Sequence, residues 1–281
     1  MSDLNVYTTS QINALTPITG DMVVDSDLNA VKLYDGAAWR TWNSDSVAGG
    51  FENRWGASFD GTDDYIQLPN GVLTALSGTA YTISAWFNLD IVGNYQMIFS
   101  ASSNLQIYFR PRVTQVGLEL YVNGATRISQ FSTYSNVGSW VHGCISVDTT
   151  GTSTMYINGS LNTSSISVPQ ATSISNPVIG SFNGASLFLN GYVDDFAIFN
   201  SALDQTAVTA LYGAAPNAGI PSEVTGAIGY WRMGDDSNDS ATSGGSIATI
   251  TDSSGNGNDA TQSTASAQPT FSDLTGETIY V

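Results

Sequence analysis

The chain has 281 residues, only 11% of them charged and 11% aromatic, and 24 acidic against seven basic side chains leave a formal charge of −17. That imbalance repels phosphate, so nucleic acid and anionic membrane surfaces are excluded as partners, while cations, sugars and proteins remain. The single cysteine, Cys144, has no partner for an internal disulfide, which excludes a disulfide-stapled secreted domain and predicts a small buried hydrophobe instead. With so few charges, solubility rests on hydroxyl and amide side chains, a mixture that suits many short strands and turns.

Within the opening module at residues 1–45, residues 1–30 lack the basic start and unbroken apolar run of a signal peptide, and no stretch of about 18 apolar residues occurs in the chain. Synthesis in a cytosol without membrane insertion is expected, and the sequons at Asn158, Asn162 and Asn238 carry no expectation of glycosylation. Two short strands are predicted here, Met22–Asp25 and Ala30–Tyr34, with Trp39 and Trp42 closing the unit. So small a unit buries little apolar surface and needs a neighbour. Its pattern, GDMVVD and then KLYDGAAW, resembles the β-meander modules near the N-termini of many bacteriophage fibre and other virion proteins. The resemblance implies that residues 1–45 attach the chain to other virion proteins.

After a linker at residues 43–50 comes WGASFDGTDDYIQLP, and then Tyr81–Leu89, whose period-two alternation predicts a half-buried strand with Trp86 as packing. Strands are predicted at Tyr95–Ser100 and Leu105–Arg110. Two segments, Tyr121-Val122-Asn123-Gly124 and Tyr156-Ile157-Asn158-Gly159, end in Asn-Gly, the pair that tolerates the positive φ of a type I′ hairpin turn. Between them, Trp140–Asp148 reads as a strand. Gly191–Asn200 predicts a strand buried on both sides, with Tyr192, Phe196 and Ile198 on one face and Val193, Ala197 and Phe199 on the other. A short helix follows, capped by Asp204, stapled by Leu203 and Val208, and closed by Gly213 at C′.

The run GYVDDFAIFNSAL with its capped helix, the SFDGT segment, the W-x-H strand and the Y-x-N-G hairpin together resemble the LamG-like family of concanavalin A-like jelly rolls, over roughly residues 55–213. The resemblance implies an all-β, antiparallel two-sheet sandwich over residues 50–213, often a carbohydrate- or protein-binding module, with the small β-meander before it and a C-terminal extension at 220–281. In that extension GYWRMGDD and DSSGNGNDAT resemble segments that in the family usually precede SFDGT. Either the tail completes its own sandwich in permuted order, the favoured reading, or it reaches a neighbouring subunit. A last strand is predicted over ETIYV.

Asp252, Ser254, Asn256 and Asn258 fall at positions 1, 3, 5 and 7 of a calcium loop, with Gly257 at the sharp turn. Position 12 is Ser263, so the bidentate carboxylate is missing, and a plain polar turn is the competing reading. Calcium is the one cofactor expected. Asp194 and Asp195, adjacent on a strand, are expected on opposite faces, which prevents a paired acid and base, and are read as structural together with Asp204. His142, the single histidine, is read as structural, because no G-x-S-x-G elbow supplies a nucleophile. The four glutamates form no E-x-D-x-E-like cluster of the kind that hydrolyses glycosides. No catalytic residue is predicted.

The expected protein is therefore a structural component of a tailed-phage virion, in a tail or neck fibre or as capsid decoration. It displays a LamG-like module to host-surface glycans and forms a homo-oligomer. The alternatives are a shell-cementing protein without a glycan ligand, a polysaccharide depolymerase, and a free-standing lectin.

Overall fold

The structure is a computed structural model that describes residues 5–17, 22–26, 30–34, 39–42, 54–77, 80–91, 95–112, 115–132, 138–165, 169–213, 220–221 and 224–274. The linker at 43–50 and the strand expected over ETIYV lie outside them. The chain divides into two compact units, Met1–Glu52 and Asn53–Val281. In the first, strands β1 (Val6–Tyr7), β2 (Met22–Asp25), β3 (Ala30–Tyr34) and β4 (Trp39–Trp42) form one sheet in that order, with a single helical turn, α1 (Thr9–Ile12), after β1. β1 runs parallel to β2 and the other pairs are antiparallel.

The second unit is a two-layer sandwich. Its strands through the first half are β5 (Trp55–Asp60), β6 (Ile66–Gln67), β7 (Tyr81–Leu89), β8 (Gln96–Ala101), β9 (Leu105–Arg112), β10 (Gln115–Val122) and β11 (Ala125–Ser132). Then come β12 (Val141–Val147), β13 (Ser153–Ile157), β14 (Ser160–Ser165), β15 (Pro177–Ile179), β16 (Asn190–Phe199), β17 (Ala227–Trp231), β18 (Thr249–Ile250), β19 (Ala260–Thr261) and β20 (Thr270–Asp273). Two helices join them, α2 (Leu73–Leu76) and α3 (Gln205–Gly213). One sheet has the order β11-β10-β9-β8-β15-β6-β19-β18 and the other β14-β13-β12-β7-β16-β5-β20, with β17 also on β16. Pairing throughout both sheets is antiparallel.

The two Asn-Gly turns close the β10–β11 and β13–β14 hairpins, with φ of 46° and 85° at Asn123 and Gly124, and 48° and 71° at Asn158 and Gly159. Between the sheets, the inward faces of β7, β12 and β16 bury Ile83, Phe87, Ile145, Val193, Phe196 and Ile198 against residues such as Phe99, Leu118 and Leu120 of the facing sheet. Fully burying one side chain of this size contributes roughly 1.5–3 kcal/mol.

The alternation expected for β7 is present, but its second face is not open to solvent: all nine residues are buried. The reason is α3 and the chain around it. Leu203, Val208, Val224 and Tyr230 pack on Cys144, Tyr156, Ala197 and Phe199 as a second core outside the sheet, and Tyr212 stacks on Trp86 at 5.5 Å. Asp204 caps α3 by accepting the N–H of Ala207 at 2.9 Å. Gly213 does not stand beyond the helix at C′; it is the last helical residue, without a left-handed φ.

The faces expected for β16 also need correction. A bulge between Asp194 and Ala197, with Asp195 at a φ of 45°, shifts the phase, so Val193 shares the inner core with Phe196 and Ile198, while Ala197 and Phe199 join the outer one. At this bulge β16 changes its edge partner. Asn190–Val193 pair with β5, and Phe196–Phe199 pair with β17 from the tail. Further along, β20 pairs with β5 and β19 with β6, so the tail lies within this chain's own two sheets, and Trp231, Met233, Ile247, Ile250, Ala260 and Phe271 all enter the inner core.

Candidate functional site

At the pole where β7 begins and β12 and β16 end lies an open groove of about 750 Å³, a volume ordinary for a ligand site. Five parts of the chain line it: Gly71, Thr74 and Ala75 around the start of α2; Ala80 just before β7; Asp148 and Thr149 in the β12–β13 turn; Asn200–Ala202 after β16; and Ile228 with Asn256 and Asn258 from the tail. No lysine, arginine or aromatic residue is among the lining residues.

The groove's amides are set by the backbone. Asn258 donates its N–H to Asp252 Oδ2 at 2.9 Å and its Nδ2 to the Ile228 carbonyl at 2.6 Å, and its own carbonyl accepts Trp231 Nε1 at 2.9 Å. Asn256 donates Nδ2 to the Ala227 carbonyl at 3.0 Å and to Ser254 Oγ at 2.9 Å. These bonds fix which end of each amide is nitrogen and leave each Oδ1 as an acceptor with no hydrogen bond among the described residues. Gly71 sits so close to Asn258 that a Cβ there would stand 2.7 Å from its Oδ1. Asp148 uses Oδ1 for Thr150 Oγ1, Thr150 N–H and Thr152 N–H at 2.6, 2.8 and 2.9 Å. The Thr150 hydroxyl and then the loop amides hold this carboxyl below its ordinary range.

The four residues singled out for a calcium loop are thus brought together as a hydrogen-bonded turn. Asp252 is buried; Oδ1 accepts the N–H of Tyr230 and of Ser254, and Oδ2 that of Asn258, all at 2.9 Å. A cation here would have to displace those amides. Among the described residues, a group of carboxylates that could hold a metal ion lies elsewhere: Asp60, Asp63 and Asp64, whose oxygens lie within 4.8 Å of one another. Asp64 accepts the Asp60 N–H at 3.0 Å, and burial pushes it up to about 6. Since Asn190 pairs with Asp60, this cluster is at the opposite end of β16 from the groove. The repeated aspartates of DGTDD were its sequence signal.

A buried polar layer lies beneath α3. His142 Nε2 is 2.8 Å from Ser84 Oγ, Trp86 lies tilted against the ring at 5.3 Å, and Nδ1 has no partner among the described residues. Burial lowers this imidazole to about 4, which keeps it neutral near pH 7. A hydroxyl beside a histidine is present, but both are buried and no carboxylate orients the ring, so the arrangement is not that of a nucleophilic triad.

At the bulge between Asp194 and Ala197, Asp195 meets the Tyr230 phenol, whose ionisation burial and then Asp195 suppress, with Asp194 adding to it. Tyr230 O–H donates to Asp195 Oδ1 at 2.5 Å, and Asp194 Oδ1 accepts the Asp195 N–H at 2.8 Å. Burial raises Asp195 to about 6, against the pull of Tyr230 and Arg232. Asp235, which sequence reasoning missed, is raised to about 7 by burial although it accepts the N–H groups of Arg54 and Trp55. No local pattern marks it; its role exists only because the tail passes the start of β5.

The profile of the concanavalin A-like lectin/glucanases superfamily matches residues 60–209. The chain belongs to this superfamily. Among solved structures, one described as a candidate carbohydrate-binding protein of Bacteroides ovatus has the same fold, with a TM-score of 0.57 at 16% identity over 96% of this chain and 73% of that one. Less of the chain, 58%, matches 83% of a heptameric pentraxin from Limulus polyphemus, with a TM-score of 0.45 at 18% identity. The NanB sialidase of Streptococcus pneumoniae matches over 56% of this chain and 27% of its own, with a TM-score of 0.45 at 20% identity. No curated protein matches the chain.

Proposed function

We propose that this superfamily member is a non-catalytic glycan-binding protein of a tailed-phage virion, attached to other virion proteins through residues 1–45 and presenting its sandwich to the host surface. The observation that carries the binding reading is the amide- and hydroxyl-lined groove on a lectin-type sandwich. The virion part rests on the meander pattern of residues 1–45. Binding without chemistry is supported by the groove's single carboxylate, Asp148, because glycoside hydrolysis uses two flanking the scissile bond. A divalent ion such as calcium would be taken by Asp60, Asp63 and Asp64 before the Asp252 turn.

A shell-cementing role without a sugar ligand is the second reading, and one observation favours it: Trp86, Trp140 and Trp231 are buried, so they offer no stacking face. A bacterial-glycan array separates the two. Specific binding supports the first reading; a blank array, together with an oligomer that falls apart on removal of residues 1–45 by light scattering, supports the second.

A further inference from the structure

We propose that the groove at the α2 pole is the recognition site for an uncharged, hydroxyl-rich sugar chain, and that it selects against acidic glycans. The inference rests on the glycan-binding reading and adds the place and the ligand class. Its basis is the kind of polar atom the groove presents. Asn256 and Asn258 have spent their donors on the Ala227 and Ile228 carbonyls, and Asp148 has spent one oxygen on its own turn. What these three residues retain is a set of acceptors, two amide oxygens and the second carboxylate oxygen, beside the Asn200 amide and the hydroxyls of Thr74, Thr149 and Ser201. Acceptors held by a rigid backbone recognise O–H donors, and a sugar hydroxyl is the neutral group that supplies them in number.

Charge decides the selectivity. No cationic side chain lines the groove, Asp148 is held ionised to lower pH than usual, and the whole chain carries −17. A uronate or sialate entering here would meet a carboxylate with nothing to pair it, and like-charge contact disfavours such a partner. Gly71 and the Asn258 oxygen meet at this wall of the groove, where an added Cβ would stand 2.7 Å from the oxygen and displace it. The absence of an aromatic platform makes the affinity modest, with Kd on the order of 0.1–1 mM for a short oligosaccharide.

The test is titration of the full chain, by calorimetry and by NMR shift mapping, with neutral oligosaccharides (glucans, mannans and chito-oligosaccharides) and with oligogalacturonate and sialylated glycans. Neutral binders with no acidic counterpart are expected. Thr149→Met, an exposed turn residue whose longer side chain would intrude on the groove, and Gly71→Ala should each weaken binding at least tenfold, while Leu161→Ser, at an exposed β14 position outside the groove lining, should leave it unchanged. Equal binding of acidic glycans overturns the selectivity. Loss of binding in EDTA transfers recognition to a metal and also overturns it. Wild-type affinity in both groove variants places the sugar elsewhere and leaves the glycan-binding reading standing, whereas silence toward every sugar removes both.

Discussion

Asp235 makes the pH dependence of stability a sharp test of how the tail is held. Its carboxyl rises from an ordinary 3.8 to about 7 because burial disfavours the charge more than the Arg54 and Trp55 amides and Arg232 favour it. The folded protein therefore holds a proton that the unfolded chain releases, and this group's contribution to stability must fall as pH rises from about 4 to about 7, then level off, while buried neutral His142 slopes the other way between about 4 and 6.5. Going from about pH 4.5 to pH 8 crosses about 2.5 units below the raised value, or roughly 3.5 kcal/mol at ~1.4 kcal/mol per unit, and about 2 kcal/mol after allowance for partial solvent access. Asp195 and Asp64, both raised to about 6 by burial, slope the same way. The lowered groups Asp148 and Asp236 lose their contribution only below their ordinary values, outside this window. Urea unfolding of wild type and Asp235→Asn at both pH values isolates the one residue as a difference of differences. Wild type should lose about 2 kcal/mol more than the variant on going to pH 8; equal losses in the two proteins would refute the burial argument.

Other outcomes follow from packing and from the acidic pole. Phe271→Ala, which removes the β20 ring set edge-on to Trp55 at 6.4 Å, should cost roughly 3–4 kcal/mol by denaturant titration; a cost under about 1 kcal/mol would mean that β20 is not part of the folded sandwich. Gly180→Ala should cost at least about 2 kcal/mol, since φ is 85° and a Cβ would run into the Phe59 ring. Calcium in the millimolar range should raise the Tm of wild type by a few degrees and leave Asp60→Asn/Asp63→Asn unmoved, and an equal shift in both would locate the ion elsewhere.

What local chemistry encodes could be read directly. Asn123-Gly124 and Asn158-Gly159 close hairpins because their left-handed φ is a property of those residues alone, and Asp204 caps α3 through an amide three positions away. The ordered family segments carried the sandwich for the same reason: each is a strand or turn whose pattern is complete within about ten residues. The bulge at Asp195 was not legible, because it exists where β16 leaves β5 for β17, a strand some thirty residues further on. The burial of both faces of β7 depends likewise on α3, whose docking its own sequence does not announce. Asn256 and Asn258 stood out as polar turn residues, but their chemistry changed once Ala227 and Ile228 took their donors. By itself the sequence determined the strands, the tight turns and the acidic charge, since these depend on neighbours along the chain. Only the tertiary structure decided that residues near 71, 148, 200 and 256 share one groove, because that meeting depends on which strand edges pair after the chain has closed.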